Sequence, residues 1–330
     1  MTVEATATSP IDPVSIAEVA RLSGEVLAEV RTVVVGMEAT LRTALATVLA
    51  GGHLLLEDVP GVGKTLAARS LAGALGLDFQ RLQCTPDLLP SDITGPMVYD
   101  PRTSAFTFRP GPVFTGLFLA DEINRTPPKT QSALLEAMAE RQVTVEGVSH
   151  RLQLPFHVMA TSNPVEHEGT YPLPEAQLDR FMVRLGVGYL DRAAEADVLA
   201  RRLARRQENT TVRAIVDAGT LRAMQAGVEA VAVDPSVLAY CVDLAAATRS
   251  HRSVEVGASP RGSQALVLVA RAEAVMAGRD FVTPEDVKAV AVAALAHRLT
   301  LTPQAWAAGV ATTDVVNQLL AEVPTPAATR

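Results

Sequence analysis

The strongest constraint on the fold is a strand, a glycine-containing turn and a helix start that follow one another between residues 53 and 65. These residues read HLLLEDVPGVGKT, so an apolar run enters a turn with Gly61 and Gly63 and continues into Lys64 and Thr65. Such a turn lets backbone N–H groups approach a phosphate closely, and the helix N-terminus that follows adds a positive dipole end. A lysine and a hydroxyl residue at this point are typical of loops that bind nucleotide phosphates with magnesium.

The loop departs from the strict phosphate-loop pattern GxxxxGK[ST] at one position, because Asp58 stands where that pattern has its first glycine. We expect the Asp58 side chain to turn away from the phosphates. An isolated GK[ST] also occurs by chance, but here an apolar strand precedes it and an amphipathic run ending at Gly76 follows it. We therefore predict that the nucleotide-binding residues of this loop are Pro60, Gly61, Val62, Gly63, Lys64, Thr65 and Leu66.

A second buried-strand pattern, LFLADEINR from Leu117 to Arg125, contains two adjacent carboxylates at its end. With the phosphate loop in place, Asp121 is predicted to bind magnesium together with Thr65, and Glu122 to orient or activate the attacking water. The alternative is that the two acids merely end a strand in a solvated turn. The phosphate loop favours the first interpretation, so the two motifs together predict ATP binding and magnesium-dependent hydrolysis.

Five apolar segments alternate with helical patterns and predict an α/β fold. They lie near His53–Glu57, Phe79–Gln83, Leu117–Asp121, Phe156–Thr161 and Phe181–Leu185. This alternation is typical of a parallel five-stranded sheet between two layers of helices, with ligands at the carboxyl ends of the strands. Beyond about residue 190 the strand signal stops, and helical patterns cover residues 191–206, 217–228, 235–249, 260–277 and 284–298. We therefore predict an α/β core over residues 15–190 and a small all-α lid over residues 191–330.

Two insertions interrupt the alternation in the core. The first, from about residue 88 to 108, carries turn signals at Ser91-Asp92 and Asp100-Pro101. The second, from about residue 142 to 154, alternates apolar and polar residues on either side of Glu146-Gly147. This alternation around a turn predicts a β-hairpin.

The charge, the cysteine count and the N-terminal sequence argue against several classes of protein. The formal net charge of −7 over 330 residues argues against a general nucleic-acid binder. Cys84 and Cys241 are too few and too far apart for a disulfide framework or a metal site. Residues 1–14 lack the basic start and apolar centre of a signal peptide, so we expect a disordered tail on a cytoplasmic protein without a membrane span. The basic cluster within Arg201–Arg206 is typical of a solvated helix face, with a partner contact as the alternative.

Several long motifs, in order, resemble those of the MoxR family of AAA+ ATPases. They are EDVPGVGKT, LPSDITG, FRPGPVF, LADEINRTPPKTQSALLEAMAE, TSNPVEHEGTYPLPEAQLDRF and ASPRGSQAL, and the resemblance runs from about Val35 to the end of the chain. It implies an AAA+ P-loop NTPase core with a helical lid, assembled into a homo-oligomeric ring in which the family expectation is a hexamer. It also implies that the two insertions are the helix-2 insert and the pre-sensor hairpin of this branch, both facing the central pore.

The resemblance assigns roles that spacing alone leaves open. Asn163 resembles the first sensor, whose amide holds the attacking water or the γ-phosphate, while the alternative is a turn-capping asparagine before Pro164. Arg180 resembles the arginine finger, which stabilises transition-state charge from a neighbouring subunit. The alternative for Arg180 is an ion pair with Asp179 or Glu175.

Three further roles follow from the resemblance. Arg261 resembles the second sensor, reaching from the lid to the phosphates, with an exposed lid arginine as the alternative. Arg125 is another candidate for action across an interface, ranked below Arg180. Val35 and Gly36 resemble the segment that covers adenine, where the alternative is an ordinary helix–loop junction.

The resemblance implies an ATP-driven remodelling chaperone for client proteins, often with a partner that carries a von Willebrand factor A domain. This chain has no such domain, so that partner would be a separate polypeptide. A nucleic-acid motor or loader is the main alternative, against which stand the negative charge and the presence of only His150 and Arg151 as basic groups on the second hairpin. A nucleotide-gated scaffold with little turnover is the third hypothesis, and Glu122, Asn163 and Arg180 argue against it.

Overall fold

The chain folds around a five-stranded parallel sheet, as the sequence predicts. The computed structural model describes residues 11–59, 61–163, 170–206 and 210–327. The strands of the sheet are β1 Leu54–Glu57, β2 Phe79–Gln83, β5 Leu117–Asp121, β8 His157–Ser162 and β9 Val183–Leu185. They lie side by side in the order β2–β5–β8–β1–β9, and every neighbouring pair is parallel. The predicted strands are confirmed to within two residues at each end.

Helices cover both faces of the sheet and form the second half of the chain. The α-helices are α1 Ile16–Arg31, α2 Glu38–Leu49, α3 Lys64–Ala74, α4 Pro90–Thr94, α5 Pro128–Glu140, α6 Glu175–Leu178, α7 Arg192–Arg205, α8 Ala218–Glu229, α9 Pro235–Ser250, α10 Pro260–Met276, α11 Pro284–Leu295, α12 Pro303–Ala307 and α13 Thr312–Glu322. Short 3-10 helices span Ile123–Arg125 and Ala296–Arg298. Because helices lie on both faces, every residue of the interior strand β5 is buried.

Both insertions contain antiparallel hairpins. The first carries α4 and then the hairpin of β3 Met97–Asp100 and β4 Ala105–Phe108. The second is the hairpin of β6 Gln142–Val145 and β7 Val148–Arg151, whose two turn residues Glu146 and Gly147 both have positive φ. The rings of Phe108 and His150 stack with centroids 3.9 Å apart, so the two hairpins are in contact.

The C-terminal region is helical, with one departure from the all-α prediction. Two short strands, β10 Val254–Val256 and β11 Thr300–Leu301, pair in an antiparallel ribbon. Strands of three and two residues are too short to produce a recognisable alternation, which is why the sequence pattern did not reveal them. The predicted start of α11 is confirmed, because Thr283 and Asp286 cap each other's backbone N–H groups there.

A continuous apolar core joins the predicted core and lid. Helix α1 packs against α3 and also against α8 and α10 of the C-terminal region. Buried residues of α1, α2, α10 and α11 belong to one hydrophobic cluster with Leu54 and Leu56 of β1. Within the described residues, no helix combines the length and the apolar character needed to cross a membrane.

Candidate active site

The phosphate loop connects the carboxyl end of β1 to the first residue of α3. Gly61 and Gly63 adopt φ values of 84° and 90°, in the left-handed region that side-chain-bearing residues avoid. A Cβ atom at either position would meet nothing within 4 Å, so the backbone conformation, and not crowding, requires glycine. Pro60, which the sequence assigns to the same loop, lies outside the described residues.

Lys64 is buried at the start of α3 and faces the carboxyl end of the sheet. Its Nζ donates to the carbonyl oxygen of Asp58 at 2.7 Å and lies 3.4 Å from that of Ser162. Burial lowers the pKa of Lys64, and the negative charges of Asp58, Asp121 and Glu122 oppose that shift. The site therefore holds a cation among backbone acceptors at the point where a phosphate group would approach.

Asp121 and Thr65 come together across the loop. The Thr65 hydroxyl donates to Asp121 Oδ2 at 3.2 Å, and the Thr161 hydroxyl donates to Oδ1 at 2.6 Å. A hydroxyl and a carboxylate are the oxygen ligands that magnesium prefers beside nucleotide phosphates, so this pair fits the predicted metal. Among the described residues no cluster of three or more His, Cys, Asp and Glu could hold a metal ion.

Glu122 follows in a strained backbone conformation. Its φ of 60° and ψ of 51° place it in the left-handed region, which costs a residue with a side chain about 1–2 kcal/mol. Its backbone N–H donates to Thr161 Oγ1 at 2.8 Å. Its carboxylate accepts from Gln83 Nε2 at 2.8 Å and pairs with Arg125 Nε at 3.1 Å. Arg125, the lower-ranked interface candidate, thus contacts the Glu122 carboxylate of its own chain.

Sequence reasoning missed two residues of this site. Arg81 on β2 pairs with Asp121 Oδ2 through Nε and Nη2, at 2.9 and 2.7 Å, and Gln83 binds Glu122. The two residues stand two positions apart on β2, so both side chains point to one face of the sheet. An arginine and a glutamine two positions apart, on a strand predicted to belong to the same sheet as Asp121, were the available signal.

Asn163 immediately follows β8 and is buried. Its carbonyl oxygen accepts from Asn124 Nδ2 at 3.3 Å, and the preceding carbonyl, that of Ser162, is the one near Lys64 Nζ. The structure therefore places Asn163 next to the phosphate loop. Residues 164–169, which continue the motif, lie outside the described residues.

A cavity of about 600 Å³ opens beside the loop. On one side lie loop residues and the predicted adenine segment, and on the other lies α7. The predicted residues that line it are Val35, Gly61, Val62, Gly63 and Leu66. Gly36 borders it, because a Cβ atom on Gly36 would lie 2.5 Å from Leu190 Cδ2, and Leu190 is another lining residue. Six of the residues predicted to bind the nucleotide, Val35, Gly36, Gly61, Val62, Gly63 and Leu66, therefore lie around one space.

Arg180 and Arg261 lie elsewhere. They line a second cavity of about 410 Å³ together with Arg141 and the segment 51–53. Residues 51–53 precede β1 and Arg180 precedes β9, so this cavity lies at the amino end of the sheet, opposite the phosphate loop. Arg261, predicted to reach from the lid to the phosphates, lies at this end because the packing of α10 against α1 and α11 places its first turn beside residues 179–182.

Asp179 connects the two arginine-bearing segments. Its carboxylate accepts from Ser259 Oγ, which caps α10 two residues before Arg261, and from Arg298 Nε, both at 2.9 Å. The Arg180 guanidinium donates to the carbonyl oxygen of Leu135. Asp179 thus pairs with Arg298 and not with Arg180, which disfavours Asp179 as the ionic partner of Arg180. Among the described residues that line the cavity, Asp179 is the one carboxylate beside four arginines.

Arg141, which the sequence did not single out as a site residue, lies near Arg180 and Arg261. It ends α5 with φ of 52°, and a Cβ atom on Gly51 would lie 3.8 Å from its Nη2. Its exposed side chain lies in the same cavity as Arg180 and Arg261. The amino end of the sheet therefore presents several positive charges at one place.

Comparison with known proteins agrees with this geometry. Residues 53–183 match the model of the ATPase family associated with various cellular activities (AAA), and residues 246–319 match that of the AAA lid domain. The uncharacterized protein YeaC of Bacillus subtilis is 47% identical, over 92% of this chain and 95% of its own. Chaperone MoxR1 of Mycobacterium tuberculosis is 41% identical, over 90% of this chain and 81% of its own.

A solved structure supports the same relationship. A crystal structure from Cytophaga hutchinsonii, whose assignment as an ATPase is itself provisional, has a TM-score of 0.88 and 41% identity, covering 94% of this chain and 97% of that one. The phosphate loop, the acidic pair at the end of β5, the helical lid and these relatives lead to one assignment. The chain belongs to the MoxR family of AAA+ ATPases.

Proposed function

We propose that the protein hydrolyses ATP with magnesium in a homo-oligomeric ring, with a hexamer as the expected assembly, and uses the cycle to remodel client proteins. The observation that carries this proposal is the separation of the catalytic groups. Lys64, Asp121 and Glu122 lie at the carboxyl end of the sheet, whereas Arg180 and Arg261 lie at its amino end.

Within one subunit, the loop residues are suited to binding and orienting ATP. The backbone of the loop and Lys64 would hold the phosphates, while Glu122 and Asn163 would hold the attacking water. Thr65 and Asp121 would hold magnesium, which when bound neutralises the charge that develops on the transferred phosphoryl group. Arg81 now pairs with the Asp121 carboxylate at 2.7 Å, so it would have to share that carboxylate with the metal.

The arginines fit a role in the neighbouring subunit. The four residues of β1 span about 13 Å at 3.3 Å each, which is too far for a side chain at the amino end to reach phosphates at the other. A head-to-tail contact between copies would bring one subunit's arginines to the next subunit's ATP. An arginine finger contributes roughly 10³–10⁵ in rate, so an isolated subunit should turn over very slowly. Arg261 and Arg141 line the same cavity as Arg180, so they too would act on the ATP of the neighbouring subunit.

Mixing two inactive variants tests this arrangement. Arg180→Ala keeps its own hydrolytic groups and Glu122→Gln keeps its own arginine, so each should be inactive alone. In randomly mixed rings about one quarter of the interfaces would join an intact Glu122 to an intact Arg180, and ATPase activity should recover to about that fraction. The double variant mixed with Glu122→Gln is the control and should recover nothing. No recovery in rings shown to contain both single variants would refute the trans role.

The hairpins favour a polypeptide client over nucleic acid. Tyr99 and Phe106 on the first hairpin are 50% and 66% exposed, with ring centroids 5.3 Å apart. The whole chain carries a net charge of −7, which opposes a phosphate backbone. We propose that these hairpins contact the client and that a separate von Willebrand factor A-domain protein takes part. Both cysteines are buried free thiols, in keeping with a reducing compartment such as the cytoplasm.

Affinity capture from native lysate would distinguish the two kinds of client. Glu122→Gln with ATP and magnesium should hold the ATP state, and Lys64→Ala should not reach it. A von Willebrand factor A-domain protein, or an enzyme awaiting its cofactor, retained by the first variant alone would support the chaperone function. Retention of nucleic acid with replication or repair proteins would refute it in favour of a nucleic-acid motor.

A further inference from the structure

Asp58, which stands where the strict phosphate-loop pattern has its first glycine, binds backbone N–H groups through its side chain. Its carboxylate accepts three backbone hydrogen bonds, two of them from residues outside the loop. Oδ1 accepts from Val59 N at 2.7 Å, and Oδ2 accepts from Val187 N at 2.5 Å and from Gly188 N. Burial alone would raise the pKa of Asp58, but these donors and Lys64 outweigh it and hold the pKa below its ordinary value.

Val187 and Gly188 belong to the linker of residues 186–190, which leads from β9 to α7. On its other side the linker is bound to α2, because the Thr40 hydroxyl donates to the carbonyl oxygen of Gly186 at 3.1 Å. Asp191 then caps α7 by accepting from Ala194 N at 2.8 Å. Asp58 therefore fixes the chain three residues before the helix cap.

Helix α7 depends on such attachments more than the other long helices do. None of its 14 residues, all of them described, is buried. It forms one wall of the 600 Å³ nucleotide cavity, to which Val198 and Leu199 contribute, and Tyr189 of the linker lies on the same wall. Tyr189 is 82% exposed and Leu199 is 60% exposed. An element with so little buried surface opens easily unless polar contacts hold it.

Asp58 also contacts the phosphate-binding residue itself. Its carbonyl oxygen accepts from Lys64 Nζ at 2.7 Å, while its side chain holds the linker. One residue thus connects the lysine expected to contact the phosphates with the segment that positions α7. A change at the phosphates that moves Lys64 would remove one of the contacts that hold Asp58 in place.

We propose that Asp58 is a positioning residue that couples the phosphate loop to α7 and so slows the release of bound nucleotide. The proposal rests on the proposed ATP site, because it takes the cavity beside the loop to be where the nucleotide binds. Strict phosphate loops have glycine at this position and lack the coupling. The loop backbone and Lys64 would hold the phosphates, so this carboxylate would govern retention of the nucleotide and not its recognition.

Two substitutions test the coupling. Asp58→Asn replaces one acceptor oxygen by an NH2 group, so it can keep the bond from Val59 or those from Val187 and Gly188 but not both. Asp58→Gly restores the strict pattern and removes the carboxylate. We expect ADP labelled with a fluorophore on the ribose to leave either variant about tenfold faster than wild type, since charge-assisted hydrogen bonds are lost. Its association rate should stay within about twofold, because the loop is intact. Asp78→Asn, an exposed carboxylate at the amino end of β2, is the matched control.

Hydrogen exchange without nucleotide provides a second readout. The amides of the linker should exchange faster in both Asp58 variants, while peptides of the sheet should not change. Wild-type release rates and wild-type linker exchange in both variants would overturn the proposal. If wild-type protein failed to bind labelled ADP, the proposed function itself would fall, and the inference with it. Asp58→Gly, with the residue that strict loops carry, guards against misfolding as the cause.

Discussion

Two buried histidines predict that the protein loses stability in mild acid. His53 and His157 lie at the amino end of the sheet, with ring centroids 6.5 Å apart. His53 Nδ1 accepts from Val158 N at 2.9 Å and its Nε2 lies 3.2 Å from the carbonyl oxygen of Met138. His157 lies between the carbonyl oxygen of Gly52 and Gln225 Nε2. A proton on His53 Nδ1 would break the first of these bonds, so the site requires neutral imidazole.

The expected magnitude follows from the shifts in pKa. Burial lowers the pKa of His53 from 6.5 to about 3 and that of His157 from 6.5 to about 4, and the charge of Arg141 adds to both shifts. The unfolded chain therefore binds more protons below pH 6.5, and stability that is complete above that pH is lost as the pH falls toward the folded values. At pH 5.0 each histidine costs about 2 kcal/mol, or about 4 kcal/mol for the pair. Burial also lowers the pKa of His297, in the same direction.

Urea unfolding at pH 7.5 and at pH 5.0 would measure this loss. Burial raises the pKa of Glu273, which acts in the opposite direction, so the informative quantity is the difference between wild type and a variant. His157→Asn keeps a polar side chain but does not titrate, and the fall in its free energy of unfolding between the two pH values should be smaller by about 2 kcal/mol. His53→Asn should behave alike. An acid loss in both variants equal to that of wild type would refute the reasoning.

Two further predictions follow from single contacts. Lys64→Ala should weaken ATP binding at least about tenfold, because the loop loses its cation. Lys129→Ala, at an exposed position of α5, should leave the affinity unchanged and is the control. Titration with a fluorescent ATP analogue measures both affinities. Unchanged affinity in Lys64→Ala would contradict the phosphate-loop assignment. Asp179→Asn leaves Arg298, whose side chain is 3% exposed, without its ionic partner and should cost about 3 kcal/mol, seen as a lower melting temperature. Glu18→Gln, in an exposed pair with Arg21, should lower the melting temperature much less and serves as the control, and an equal effect of the two substitutions would contradict the role of Asp179.

The sequence predicted what local patterns determine. Apolar runs between turn signals located all five strands of the sheet, and capping residues located the start of α11 at Thr283. The antiparallel hairpin followed from alternation around Glu146-Gly147. Each of these features depends on residues within about ten positions of one another, so its physical cause can be found in a short window.

The contacts that complete the site lie beyond that range. Asp58 binds the backbone of Val187, 129 residues away, and Arg81 binds Asp121, 40 residues away. The position of Arg261 depends on how α10 packs against the N-terminal helices, which no short window contains. The family resemblance supplied a role for Arg261 but not the end of the sheet at which it lies.

The placement of groups at both ends of β1 has a consequence for assembly. One end of this strand carries the loop expected to bind ATP, and the other adjoins the arginines that the subunit would offer to its neighbour. A strand buried in the centre of a sheet is among the least deformable parts of a protein, so the distance between the two sets is fixed. Asp179 joins the Arg180 segment to the Arg261 segment, so the lid and the core would present their arginines together. Under the proposed function, the contact between subunits would then be the part of the catalytic geometry that can change. The rate of hydrolysis would therefore depend on that contact.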